Sequence, residues 1–282
     1  MNDTGINETM TADQSFPDLR GLKVLIRGAG EMASGVAHRL ARAGFHLLLT
    51  ETKDPLAVRR VVSFCEAVHD GEKTVEGLTA RLIQDLGQAE ALWELGELPV
   101  LVDQELKCLP QLKPWVIVDA LLAKKNIGLR RGMAPFTIGL GPGFKAPGEV
   151  DLAIETKRGH NLGRLIYDGE PAANTGVPGN IAGYTHERVL RAPIDGVFET
   201  ERKLGDMVAA GDTVALVNGQ AVVAKVDGIL RGLIRPGCRV EEGLKVGDVD
   251  PRSNLDYVDT ISEKARAIGG SVLEGIMARF NR

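Results

Sequence analysis

The sequence predicts an α/β fold: a Rossmann-like parallel-sheet domain, then a small β-rich barrel, then a C-terminal helix. Three observations point there. A short apolar run breaks into a glycine-rich turn near the start, apolar runs then alternate with helical patterns, and a repeat of short strands begins near residue 189. The corresponding boundaries are 1–20 for a disordered leader, 21–135 for the nucleotide-binding domain and 136–188 for a glycine-rich middle segment with a β-hairpin. Residues 189–250 form the barrel, and 251–282 a helix packing back on the first domain.

The first element is Lys23-Val24-Leu25-Ile26-Arg27, followed by Gly28-Ala29-Gly30-Glu31-Met32-Ala33-Ser34-Gly35. Gly28 permits a tight turn after a strand, Gly30 lets backbone N–H groups approach a pyrophosphate, and small Ala33 lets the helix pack on the sheet. The helix N-terminus then faces the anion. Val36, Ala37, Leu40 and Ala41 recur at helical spacing, Gly44 stops the helix, and Phe45 to Thr50 reads as a second buried strand. Glu51 closes that strand near the position where an acid accepts hydrogen bonds from a ribose. The expected cofactor-binding set is Gly28, Gly30, Glu31, Met32, Ala33 and Glu51. Glu51 repels a 2′-phosphate while Lys53 offsets that repulsion, so NAD and NADP are both admitted. The bland alternative is a tight βα connection with no ligand.

Beyond Glu51 the alternation continues. Pro55 to Val62 suits a helix with proline in its first turn, Leu78 to Leu82 a strand, and Gly87 to Leu95 a helix. Leu98 to Asp103 and Trp115 to Ala120 are near-continuous apolar runs, as strands buried on both faces should be. Asp103 and Asp119 end these strands on the rim where ligands sit in open parallel sheets. Lys124 and Lys125 could hold an anion beside Asp119. Helix capping by the aspartates and a solvated lysine pair account for the same residues.

In the middle segment, Gly139-Leu140-Gly141-Pro142-Gly143-Phe144 is too rich in glycine and proline for a regular element, and Val150 to Thr156 reads as a strand. Lys157-Arg158-Gly159-His160 follows. Arg158 and His160 either clamp a phosphate or carboxylate or belong to a charged hairpin joining Ile154 to Leu165. Asn174 to Asn180 is a second glycine-rich loop.

From Val189, Ala192 to Phe198 and Leu204 to Val214 are echoed by Lys225 to Leu230 and Gly237 to Leu244. The copies share a Val/Ile-Asp-Gly turn and a G-x-x-V-x-x-G corner, and together resemble the biotinyl/lipoyl carrier fold. The hairpin Val217-Asn218-Gly219-Gln220 carries no lysine, so the barrel reads as an interaction or lid module rather than a swinging arm. In the tail, Thr260-Ile261-Ser262-Glu263 is a capping box. Ile261, Ala265, Ile268, Val272 and Ile276 form an apolar stripe interrupted by Gly269-Gly270, a pair that implies close packing or a kink.

Composition excludes several classes. Thirty-four basic against 38 acidic residues leave a net charge of −4, which argues against a nucleic-acid partner. The leader is polar and acidic rather than a signal peptide, and no apolar run approaches the roughly 20 residues of a membrane helix. Cys65, Cys108 and Cys238 stand far apart, in no metal-ligand spacing, so no metal is expected and a reducing cytoplasm is the natural home.

Arg27 to Gly35, Gly139 to Phe144, Ile154 to His160, Pro178 to Ile181 and Ile261 to Gly270, taken together, resemble the selenium-dependent molybdenum hydroxylase system proteins of the YqeB type. The resemblance implies a cytoplasmic protein that accompanies molybdenum hydroxylases and helps mature their cofactor. Two functions are then expected. In the first, an accessory factor binds a nucleotide or molybdopterin dinucleotide, Arg158 and His160 hold a phosphate, and the partner is a hydroxylase client or its maturation apparatus. In the second, an NAD(P)-dependent oxidoreductase acts on a small anionic substrate, with Asp119, Lys124 or His160 moving the proton. No membrane partner is expected, and a homo-oligomer is compatible with either.

Overall fold

The computed structural model describes residues 18–281; residues 1–17, where most of the expected leader falls, lie outside them. The first nine strands are β1 (Lys23–Arg27), β2 (His46–Glu51), β3 (Glu72–Val75), β4 (Leu78–Ile83), β5 (Leu98–Val102), β6 (Val116–Asp119), β7 (Phe136–Leu140), β8 (Leu152–Ile154) and β9 (Leu165–Ile166). They make one sheet in the order β3-β4-β5-β2-β1-β6-β7-β8-β9. The sheet is mixed, which corrects the expectation of a Rossmann-like parallel one. Neighbours from β4 to β8 run parallel, but β3 pairs antiparallel with β4 and β9 with β8. The reason lies in the connections. Val75 pairs with Leu78 across Glu76 and Gly77, both at positive φ, and so tight a hairpin cannot make a parallel crossover.

One face of the sheet is covered by α1 (Glu31–Arg42) and α6 (Glu263–Phe280). Val24, Ile26, Leu47, Leu49, Val116, Val118, Ile138 and Ile154 share a buried cluster with Val36, Leu40, Ile268, Val272 and Ile276. The short helices α2 (Ala67–Asp70), α3 (Ala89–Glu94), α4 (Leu109–Leu112) and α5 (Asp256–Asp259) fill the connections. A Cβ on Gly35 would lie 2.7 Å from the Ala265 Cβ, and one on Gly269 would lie 2.7 Å from the Gly35 carbonyl oxygen and 3.2 Å from the Arg39 Cβ. These pairings run in the same direction along both helices. The helices are therefore parallel, in near backbone contact, with their N-termini at one end of the sheet.

Several local expectations change. Pro55 to Val62 is not a helix beyond a 3-10 turn at Arg60–Val62, because the Val58 carbonyl accepts from the Leu233 N–H at 2.8 Å and is committed to another segment. Gly139 lies inside β7, where Phe144 stacks so close that a Cβ would sit 2.2 Å from its Cγ. Two of the six residues of that glycine-rich run, Gly139 and Leu140, are thus strand. The capping box is displaced: Ser262 is the N-cap, accepting from the Ala265 N–H at 3.4 Å, while Thr260 Oγ1 donates to the Asp256 carbonyl.

The remaining strands are β10 (Val189–Arg191), β11 (Gly196–Glu199), β12 (Met207–Val208), β13 (Thr213–Val217), β14 (Gln220–Val223), β15 (Gly228–Leu233), β16 (Arg239–Val240) and β17 (Lys245–Asp250). They form two four-stranded antiparallel sheets, β10-β17-β15-β12 and β14-β13-β11-β16, rather than the expected biotinyl/lipoyl-like barrel. Phe198, Val214 and Val217 from one sheet meet Val208, Leu230 and Val246 from the other in a common core. The repeated strands are short and each sheet keeps two open edges, so the repeat builds a sandwich. Asn218 and Gly219, at φ 47° and 81°, make the tight hairpin between β13 and β14.

Candidate functional site

The two helix N-termini open into a pocket of about 350 Å³ between the nine-stranded sheet and the β-rich unit. Gly30, Glu31 and Met32 enter it from the start of α1, Ser262 and Lys264 from the start of α6. Arg59, Arg158, Arg188, Arg231 and Lys245 complete a wall of six cations, against which stand two acids, Glu31 and Asp248. Aligned peptide dipoles add partial positive charge at both helix starts. The pocket is strongly electropositive.

Five of the six cations are held by main chain or by a carboxylate. Arg59 Nη2 donates to the carbonyls of Tyr257 and Thr260 at 2.9 and 3.0 Å, and Nη1 reaches Glu31 Oε1 at 3.5 Å. Its Nε is buried and, among the described residues, has no hydrogen-bond partner. Burial lowers the pKa of this guanidinium. Arg188 Nη1 donates to Asp248 Oδ1 at 2.5 Å and its Nη2 to the Gly179 carbonyl at 2.9 Å, which pins the loop after β9 to the pocket. Lys245 shares Asp248, at 3.1 Å. Arg231, within β15, donates through Nε to the Tyr257 carbonyl at 3.0 Å and stands 3.7 Å from Asp250, which Arg252 already engages in a bidentate pair. Arg158 pairs with Glu263, an exposed carboxylate, and burial lowers its pKa, with Arg231 and Arg188 adding to the effect. No acceptor among the described residues lies within bonding distance of the Lys264 ammonium.

The residues singled out from the sequence fall in several places. Gly30, Glu31, Met32 and Arg158 line the pocket. Gly28 has a φ of 97° and carries the turn, and a Cβ there would meet Leu121 at 3.1 Å. Ala33 is buried in the core. Glu51 is folded back on the turn, accepting from the Ala29 N–H at 2.9 Å and from the Thr52 N–H at 2.8 Å. Asp119 is buried at the end of β6, accepting from Arg27 at 3.0 Å and from the Leu121 N–H at 3.2 Å; burial raises its pKa despite the guanidinium. Asp103 takes the N–H groups of Lys107 and Cys108, as a turn cap does. Lys124 and His160 are exposed and lie outside the pocket lining. Among the described residues no group of three or more His, Cys, Asp and Glu could hold a metal ion, and no helix is long and apolar enough to cross a membrane.

Arg59, Arg188, Arg231, Lys245 and Lys264 were not legible as one site. Two of them carry a signal in hindsight. Arg231 interrupts the apolar run Ile229 to Leu233, where a charge is out of place unless used. Lys264 sits in the first turn of a helix, against the dipole.

No family model matches the chain. Similar solved structures include the product-bound ectoine utilization protein EutE (DoeB) from Ruegeria pomeroyi, at 13% identity and a TM-score of 0.25 over 82% of this chain and 85% of that one. A succinylglutamate desuccinylase from Silicibacter sp. TM1040 matches at 13% identity and 0.24 over the same shares. An aspartoacylase family protein from Mesorhizobium loti matches at 11% identity and 0.26, again over 82% and 85%. At such scores neither a fold nor an activity is transferred. The maturation factor with a nucleotide in a Rossmann cleft and the NAD(P)-dependent oxidoreductase are both withdrawn. The sheet is mixed, and the acid expected to receive a ribose is spent on the N–H groups of Ala29 and Thr52. A sequence relative is the uncharacterized protein YqeB of Escherichia coli (strain K12), 50% identical over 254 residues, which are 90% of this chain and 47% of that protein. Over the matched residues the chain is similar to YqeB, and it spans about half the length of that relative.

Proposed function

We propose that this chain binds a small, multiply charged anion, bearing phosphate or carboxylate groups, in the pocket at the paired helix starts. The observation that carries the reading is the convergence of six cationic side chains and two helix N-termini on one cavity of about 350 Å³. That volume suits a small molecule rather than a polymer. Placing so many guanidinium groups together is unfavourable in an empty protein, since like charges repel and burial lowers the pKa of Arg59 and Arg158. An anion reverses the sign of that interaction. Arginine suits the task, because its planar fork matches phosphate and carboxylate oxygens in pairs.

The test is calorimetry with inorganic pyrophosphate and with citrate. Binding that weakens as salt rises is expected, together with at least a tenfold loss in Arg158→Gln, which removes one charge-assisted contact worth about 1.5–3 kcal/mol. Arg158 pairs only with a carboxylate that is exposed, so the variant keeps its fold and a thermal melt checks this. Absence of binding to both anions at millimolar concentration, or full affinity in Arg158→Gln, refutes the reading.

A further inference from the structure

Lys264 is an anomaly in this wall of cations. The other five each donate to a carboxylate or carbonyl. Lys264 lines the same pocket, and among the described residues nothing pairs with its amine. It is the second residue of α6, after the Ser262 cap, where the helix dipole opposes a positive charge. The turn that carries it is rigid: Glu76 accepts from the Ile261 N–H at 2.8 Å and from Arg266 at 2.5 Å, and the helix behind it lies in backbone contact with α1. A positive charge placed this way is opposed by the helix start, and the side chain lines the pocket with no partner for its amine among the described residues.

We propose that the Lys264 ε-amine is a nucleophile that condenses with the carbonyl carbon of a small oxo acid whose carboxylate is held by the arginines of the same pocket. This rests on the anion reading above. The nitrogen lone pair attacks the carbonyl carbon, a carbon–nitrogen double bond forms, and the two amine hydrogens leave with the carbonyl oxygen as water. No oxidant or reductant is consumed. The groups that set the charge of this amine agree with the role. Burial lowers its pKa, Arg158 lowers it further, and Glu31 and Glu155 act against them. Arg158 thus has two uses, holding a carboxylate and lowering the pKa of the neighbouring amine. Lys245, by contrast, reaches a carboxylate, Asp248, which it shares with Arg188.

The experiment is reductive trapping. The protein is incubated with 2-oxoglutarate and, separately, with pyruvate in the presence of cyanoborohydride, and labelled peptides are mapped by mass spectrometry. Label on Lys264 at least tenfold faster than on any other lysine is expected, suppressed by excess pyrophosphate and lost in Lys264→Arg. Label spread evenly over exposed lysines in the wild-type protein, or undiminished total label in Lys264→Arg, overturns the proposal. The two readings fail separately. Pyrophosphate binding without selective label leaves an anion site and removes the nucleophile, whereas selective label without pyrophosphate binding or competition keeps the amine and removes the anion reading.

Discussion

Gly269 and Gly270 are adjacent in α6, yet the same substitution should move them in opposite directions. A Cβ on Gly269 would lie 2.7 Å from the Gly35 carbonyl oxygen and 3.2 Å from the Arg39 Cβ, both on α1. The first obstruction is main chain, so the clash is relieved only by parting two helices packed over Val36, Ile268 and Val272. Overpacking costs about 1–3 kcal/mol, and the upper end applies because a carbonyl cannot rotate away. Exchanging glycine for alanine in a helix returns about 1 kcal/mol. Gly269→Ala should therefore lose about 2 kcal/mol, a fall of roughly 4–8 °C in Tm for a chain of this size. Gly270 has nothing within 4 Å of its ideal Cβ, so Gly270→Ala should keep the helix gain and raise Tm by about 2–4 °C. Thermal melts followed by circular dichroism, repeated by urea titration, measure both. Because the helix pair also sets the pocket entrance, Gly269→Ala should weaken pyrophosphate binding and Gly270→Ala should not. Shifts of the same sign at both positions would refute the close parallel packing from which the argument starts.

Two further outcomes follow from the fold. Gly139→Ala places a methyl group 2.2 Å from the Phe144 Cγ inside a fully buried strand, and urea unfolding should show a loss of about 3 kcal/mol; an unchanged midpoint would mean that the ring does not occupy that space. Asp70 is held below the usual carboxylate range first by the hydrogen bond from Arg235, which ties α2 to the β-rich unit. A depressed carboxyl contributes stability above its unfolded pKa and loses it as pH falls through the folded one, so Asp70→Asn should flatten the decline of Tm below about pH 4. A variant whose acid limb retains the full slope would show that the clasp is absent in solution.

Local chemistry was legible because it depends on neighbours in the chain. The apolar run Lys23 to Arg27 and the glycine after it mark a strand and a turn in any context, and Asn218-Gly219 adopts positive φ wherever a tight hairpin is wanted. The edge pairing was not legible, since Val75 and Leu78 read as strand ends whichever way the strands run. Nor was the fate of Pro55 to Val62, whose helical signal yields to a hydrogen bond with Leu233 far along the chain. Gly139 looked like loop because the ring that needs its missing side chain, Phe144, stands five positions later and folds back through a turn. Glu51 had the sequence position of a ribose acceptor, but only the folded turn shows its oxygens taken by backbone N–H groups. The cationic pocket lies furthest from the sequence. Arg59, Arg158, Arg188, Arg231, Lys245 and Lys264 are spread over more than 200 positions, and no period or motif relates them. Charge acts through space with a reach of several ångströms. Sequence alone determined the first strand with its glycine turn and the Asn218-Gly219 hairpin, whereas the meeting of six cations at two helix starts was decided by tertiary packing, in which Gly35 and Gly269 let two helices lie side by side.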